Sequence, residues 1–154
     1  MNSQSLAQFR IAVESAFGPY LSSHSFIELA APGTGRVKTL VYQSPELLLS
    51  FFFERSHDFY AKVGAPSEPA SSFYLSAALA FLTGTSEPIL EIKSVSRLLP
   101  ERHNEVVSLF SANGHEKREK LQAWIQAYAQ RAAGVLQENA REAKSKRRWW
   151  QFGA

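Results

Sequence analysis

The stretch Leu47 to Gly64, "LLLSFFFERSHDFYAKVG", most constrains what this chain can fold into. Two runs of apolar and aromatic residues flank the polar residues Arg55 to Asp58, a pattern that reads as two strands joined by a turn. Side chains alternate between faces along a strand, so the register depends on whether the loop holds an odd or an even number of residues. An odd loop puts Leu49, Phe51 and Phe53 on one face with Phe59, Ala61 and Val63, a continuous apolar surface. An even loop sets Lys62 opposite Phe51 inside the core, a costly position for a charge. The odd register is therefore expected. It leaves Leu48, Ser50, Phe52 and Glu54 beside Tyr60 and Lys62 on the opposite face.

The hairpin has neighbours of the same kind. "HSFIELAA", "RVKTLVYQS", "ELLLSFFFE" and "HDFYAKVG" are separated by short turn segments, which favours a four-stranded antiparallel meander. Before it, Leu6, Phe9, Val13, Ala16 and Phe17 recur at helical spacing, and Gly18-Pro19 is expected to stop that helix. After it, "FYLSAALAFLTG" has helical composition, with Ser72 available as a cap and Gly84 just past the end. Residues 88–97 are ambiguous: Ile89, Ile92, Val95 and Leu99 repeat at helical spacing, whereas "ILEIKSV" alternates like a strand, and helix is the preferred reading. Pro100 is read as opening a further helix closed by Asn113-Gly114. From about Glu116 a long amphipathic helix carries Leu121, Trp124, Ile125, Tyr128, Ala132, Val135 and Leu136 on one stripe, and beyond Leu136 it is expected to leave the body. The expected architecture is thus a single α+β domain over residues 1–140, a four-stranded antiparallel meander packed by helices, followed by a basic aromatic tail over residues 141–154.

With 154 residues, 45% of them hydrophobic, one domain can bury about 70% of its unfolded surface. The absence of cysteine excludes disulfides, thiolate zinc sites and cysteine nucleophiles, and is compatible with a reducing compartment. "MNSQSLAQFRIAVESAF" does not read as a secretory signal and no run approaches the roughly 20 apolar residues of a membrane span, so a cytoplasmic protein is expected. Residues 141–148, "REAKSKRR", hold five basic groups and one acid, or +4, against +3 for the whole chain. The rest sums to −1, so the basic character belongs to the tail and not to a nucleic-acid-binding domain.

Glu54, Arg55, His57 and Asp58 have the residue types of acid–base chemistry, but neighbours in a solvated turn are poorly aimed for it. They read as a hairpin tip, with a partner-contact loop as the functional alternative. His24, His57, His103 and His115 lack ligand spacing, so neither a metal nor a cofactor is expected. "PGTGR" precedes a strand and reads as a turn instead of a phosphate loop, and no "GxSxG" elbow occurs. No catalytic residue is assigned; an enzyme with a pocket that leaves no linear motif stays as a third class. Lys144, Lys146, Arg147 and Arg148 beside Trp149 and Trp150 allow three readings: a docked or frayed helix end, a protein contact, or a grip on nucleic acid or an anionic membrane.

The order of helix, meander and helices, with "LVYQSPELLLSFFFERSHDFYAKVG", resembles the small α+β immunity proteins encoded in bacteria beside polymorphic toxins. The resemblance covers about residues 24–64 and implies tight binding that occludes a toxin. It carries over no functional residues. The basic tail departs from the acidic character typical of nuclease inhibitors. Independently of family, helices in a second layer would cover Phe52 and Tyr60, whereas an uncovered face would have the make-up of a partner hot spot. The expected partner-binding surface is Tyr42, Phe52, Glu54, Arg55, His57, Asp58, Tyr60 and Lys62.

Overall fold

The computed structural model describes residues 3–29, 38–53, 59–89 and 91–152, and the side chains of residues 3–5 and 145–152 lie outside the described set. Its architecture is α+β. One antiparallel sheet runs in chain order through β1 (Ile27–Leu29), β2 (Lys38–Gln43), β3 (Leu48–Phe53), β4 (Phe59–Gly64) and β5 (Phe73–Tyr74). Helices α1 (Ser3–Ser23), α2 (Leu75–Thr83), α3 (Ile92–Glu101), α4 (His103–Phe110) and α5 (His115–Phe152) complete it. The first four strands are the expected meander. The fifth is an addition: Phe73 and Tyr74 pair with Val63 and Lys62, so Ser72 caps no helix and α2 begins at Leu75 after an uncapped Tyr74.

The central register is the odd one. Leu49 faces Val63, Phe51 faces Ala61 and Phe53 faces Phe59, leaving residues 54–58 as the connection. Leu49, Phe51 and Val63 are fully buried, and α1 lies across them, with the rings of Phe17 and Phe51 4.9 Å apart and those of Phe9 and Phe53 5.5 Å apart. Val95 and Leu99 of α3, Val106 and Leu109 of α4, and Leu121 of α5 close the same core. Burying these side chains supplies roughly 1.5–3 kcal/mol each, the main term opposing chain entropy.

Both prolines read as helix boundaries lie inside helices instead. Pro19 sits within α1, which continues to Ser23 because Tyr20 and Leu21, only 4% and 6% exposed, are needed in the core. Proline removes the hydrogen bond that an N–H at position 19 would donate to the Ser15 carbonyl, yet the helix runs one further turn, in which Ser23 Oγ donates to the Pro19 carbonyl. Pro100 likewise lies near the end of α3, and the break before α4 comes at Arg102. The preferred helical reading of residues 88–97 holds from Ile92 onward.

α4 ends at Phe110 rather than at Asn113-Gly114. Ser111 is extended, Ala112–Gly114 form a 3-10 turn, and the Nη1 of Arg118 donates to the carbonyls of Leu109 and Ser111, both at 2.8 Å, satisfying the exposed end of α4. α5 then packs through Leu121 and Ile125 and is tied to the α2–α3 connection by Trp124 Nε1 donating to Thr85 O and Arg131 Nη2 to Ser86 O. Val135 and Leu136, placed on the buried stripe by their spacing, are 56% and 69% exposed, because α5 has already passed the body.

Two backbone positions generate predictions of opposite sign. A Cβ on Gly114 would lie 2.3 Å from the Leu109 carbonyl oxygen, so Gly114→Ala is expected to destabilise the protein by about 2 kcal/mol through backbone displacement. Ser25 closes α1 in a Schellman turn at φ 59°, with Phe26 N donating to Leu21 O. Ser25→Gly is expected to stabilise by about 1 kcal/mol, and urea denaturation of the two variants measures both effects.

Candidate partner-binding face

The side of the sheet away from the helices is built by the same alternation. Phe52 pairs with Tyr60 and Ser50 with Lys62, and Tyr74 stands beside Lys62 on β5. The rings of Phe52 and Tyr60 stack 5.1 Å apart at 16°, and Tyr60 and Tyr74 lie 5.7 Å apart. The Lys62 ammonium sits 4.9 Å from the Tyr74 ring centre and 5.8 Å from that of Phe52, a cation–π arrangement across three strands. The ring contacts between α1 and the sheet fall on the other face, through Phe51, Phe53 and Phe59. Tyr74 is half exposed, and Phe52, Tyr60 and Lys62 are partly buried.

The structure thus brings Phe52, Tyr60 and Lys62 together and adds Tyr74, which the sequence reading missed. It removes Tyr42. That residue pairs with Leu49, is 7% exposed and meets Phe51 edge-on at 5.8 Å, all on the helix side of the sheet. Burial, and then the Glu28 carboxylate, raise its hydroxyl above the usual tyrosine range. Glu28 is in turn paired with Arg10 of α1, so Tyr42 belongs to the seam that joins β1 and β2 to that helix. Glu54, Arg55, His57 and Asp58 lie outside the described residues. α5 remains helical through Phe152, and Lys144 is exposed, while the side chains of Lys146, Arg147, Arg148, Trp149 and Trp150 lie outside the described set.

A second polar cluster joins α1 to α4. The Tyr20 hydroxyl and His103 Nδ1 are 2.8 Å apart, and the rings of His24 and His103 stack with centres 3.6 Å apart. Burial raises Tyr20 far above neutral pH, so it is the donor, and Nδ1 of a neutral His103 accepts. Burial, and then the neighbouring His24, lower the pKa of His103, with Glu46 acting weakly the other way. No sequence spacing joins these residues, which are 83 positions apart. The cluster packs the end of α1 against the start of α4.

A cleft of about 200 Å³ lies between residues 65–71 and Phe110–Arg118. Its ionisable residues are Glu68 and Arg118, and the Arg118 Nη1 is held by backbone carbonyls, so it presents no aimed acid–base pair. Among the described residues no group of three or more His, Asp or Glu side chains is placed to hold a metal ion, and no described helix is long and apolar enough to cross a membrane. Comparison with protein-family models, with curated proteins and with solved structures finds no match to this chain.

The histidine cluster makes stability depend on pH. A histidine whose folded pKa lies below its unfolded value binds fewer protons when folded, so its contribution is complete above about pH 6.5 and is lost as pH falls toward the folded pKa. The melting temperature is therefore expected to fall between pH 7.5 and pH 5. His103→Gln, which keeps an acceptor for Tyr20 but cannot be protonated there, is expected to flatten that slope in thermal melts across this range.

Proposed function

We propose that this chain is a non-enzymatic protein-binding module that docks another protein on the sheet face opposite α1. The most concrete form is an immunity protein that binds and neutralises a co-encoded toxin. The observation that carries the proposal is the ladder of Tyr74, Lys62, Tyr60 and Phe52 on a sheet face to which α1 makes none of its ring contacts. Stacked aromatic rings give a large, rigid contact area at a small loss of rotamer freedom, and tyrosine is among the residues on which interface energy concentrates. An occluding binder needs no reactive group of its own.

Phe52→Ala combined with Tyr60→Ala is expected to weaken partner binding by about 30-fold or more, from a loss of about 2 kcal/mol or greater, while changing the melting temperature by only a few degrees. The check is affinity purification from extract of the source cell at high salt, followed by calorimetry of wild-type and variant protein with the partner recovered. Unchanged affinity, or a collapse of stability in the variant, would refute the docking role of this face.

A further inference from the structure

We infer that the partner docks an acidic segment across Lys62, placing a carboxylate on its ammonium between the rings of Tyr74 and Phe52. The inference rests on the docking role proposed above and specifies the chemistry of the occupant. Among the described strand residues on this face, Lys62 is the sole Lys, Arg, Asp or Glu; Glu28 and Lys38 pair with Tyr42 and Phe53 and so belong to the helix side. No carboxylate among the described residues forms a salt bridge with Lys62. Aromatic rings attract the ammonium electrostatically, but they do not provide the oxygen acceptors that its three N–H donors use in water.

That arrangement is sustainable while the face is wet. Any partner that covers it strips the ammonium of water, and a buried unpaired charge costs several kcal/mol unless the partner supplies an acceptor, best a carboxylate. The local charge also discriminates between classes of occupant. A second copy seated symmetrically on this face would bring a second Lys62 toward the first, a like-charge contact. A nucleic acid would set a row of phosphates against the one cation among the described strand residues of this face, leaving most of its charge unmatched. An acidic peptide segment with aromatic or aliphatic flanks matches both the Lys62 ammonium and the rings around it.

The test is selection of a random dodecapeptide display library on the immobilised full chain, in parallel with Lys62→Glu, Lys62→Met and the Phe52→Ala/Tyr60→Ala double variant, each first shown to melt like the wild type. The most enriched peptide is then synthesised and titrated by fluorescence anisotropy at low and high salt. The wild type is expected to enrich peptides carrying Asp or Glu next to aromatic or aliphatic residues. Lys62→Met should weaken the chosen peptide by about tenfold or more, Lys62→Glu should abolish its binding, and high salt should weaken it. Enriched peptides without acidic residues that bind Lys62→Glu equally well, yet fail on the double variant, would overturn the carboxylate inference and leave the docking face standing. Peptides that bind the double variant as well as the wild type, or no enrichment at all, would overturn both readings. Concentration-dependent dimerisation lost in the double variant would also overturn the inference, in favour of a second copy. Binding of a labelled single-stranded oligonucleotide with the same loss would do so in favour of nucleic acid.

Discussion

The pairing of Phe51 with Ala61 is the constraint from which the rest of the molecule follows. It sets a large ring beside a small side chain, and the space above Ala61 lets Phe17 of α1 approach Phe51 to 4.9 Å and Phe59 to 6.4 Å. A slip of one residue would exchange the faces of β4, burying Lys62 and exposing Val63. The helices have one surface to cover because this register makes only one surface continuously apolar. The other face inherits Phe52, Tyr60 and Lys62 by the same alternation, so core and candidate interface are two outcomes of one pairing.

The legible parts of the fold were those in which local pattern and burial agree. Aromatic and β-branched runs made β2, β3 and β4 readable, and the cost of burying Lys62 chose the register of β3 against β4. β5 carried no such signal: two residues of a segment with helical composition pair with β4 because they emerge beside its edge. Pro19 and Pro100 misled for a related reason. A proline's effect is local, whereas the burial of Tyr20 beyond one and Leu99 before the other is decided by partners far along the chain. Val135 and Leu136 keep helical spacing yet stay exposed, a distinction that spacing alone does not carry.

The candidate site was legible to the extent that parity reached. Phe52, Tyr60 and Lys62 followed from a single loop count. Tyr42 required a second one, and the β2–β3 connection is a four-residue turn whose signal is structural: the Ser44 hydroxyl accepts from the backbone N–H groups of Glu46 and Leu47. That even loop sets Tyr42 opposite Leu49, among the core residues. Tyr74 entered with the unread fifth strand. The Tyr20–His103 contact had no sequence signature at all, since it exists only because the end of α1 meets the start of α4.

The strand order has a kinetic meaning. Every strand pairs with its neighbour in the chain, so the sheet can assemble from hairpins, each closing a short loop at small entropic cost. The contact of Tyr20 with His103 spans 83 positions and closes only when the chain's first helix finds its fourth. Closure entropy favours hairpin formation before that docking, and the reverse order on unfolding would open the α1–α4 seam ahead of the sheet. An excursion there would loosen the helical layer over Phe51 while leaving the strand ladder, and with it the aromatic face on the far side, in register.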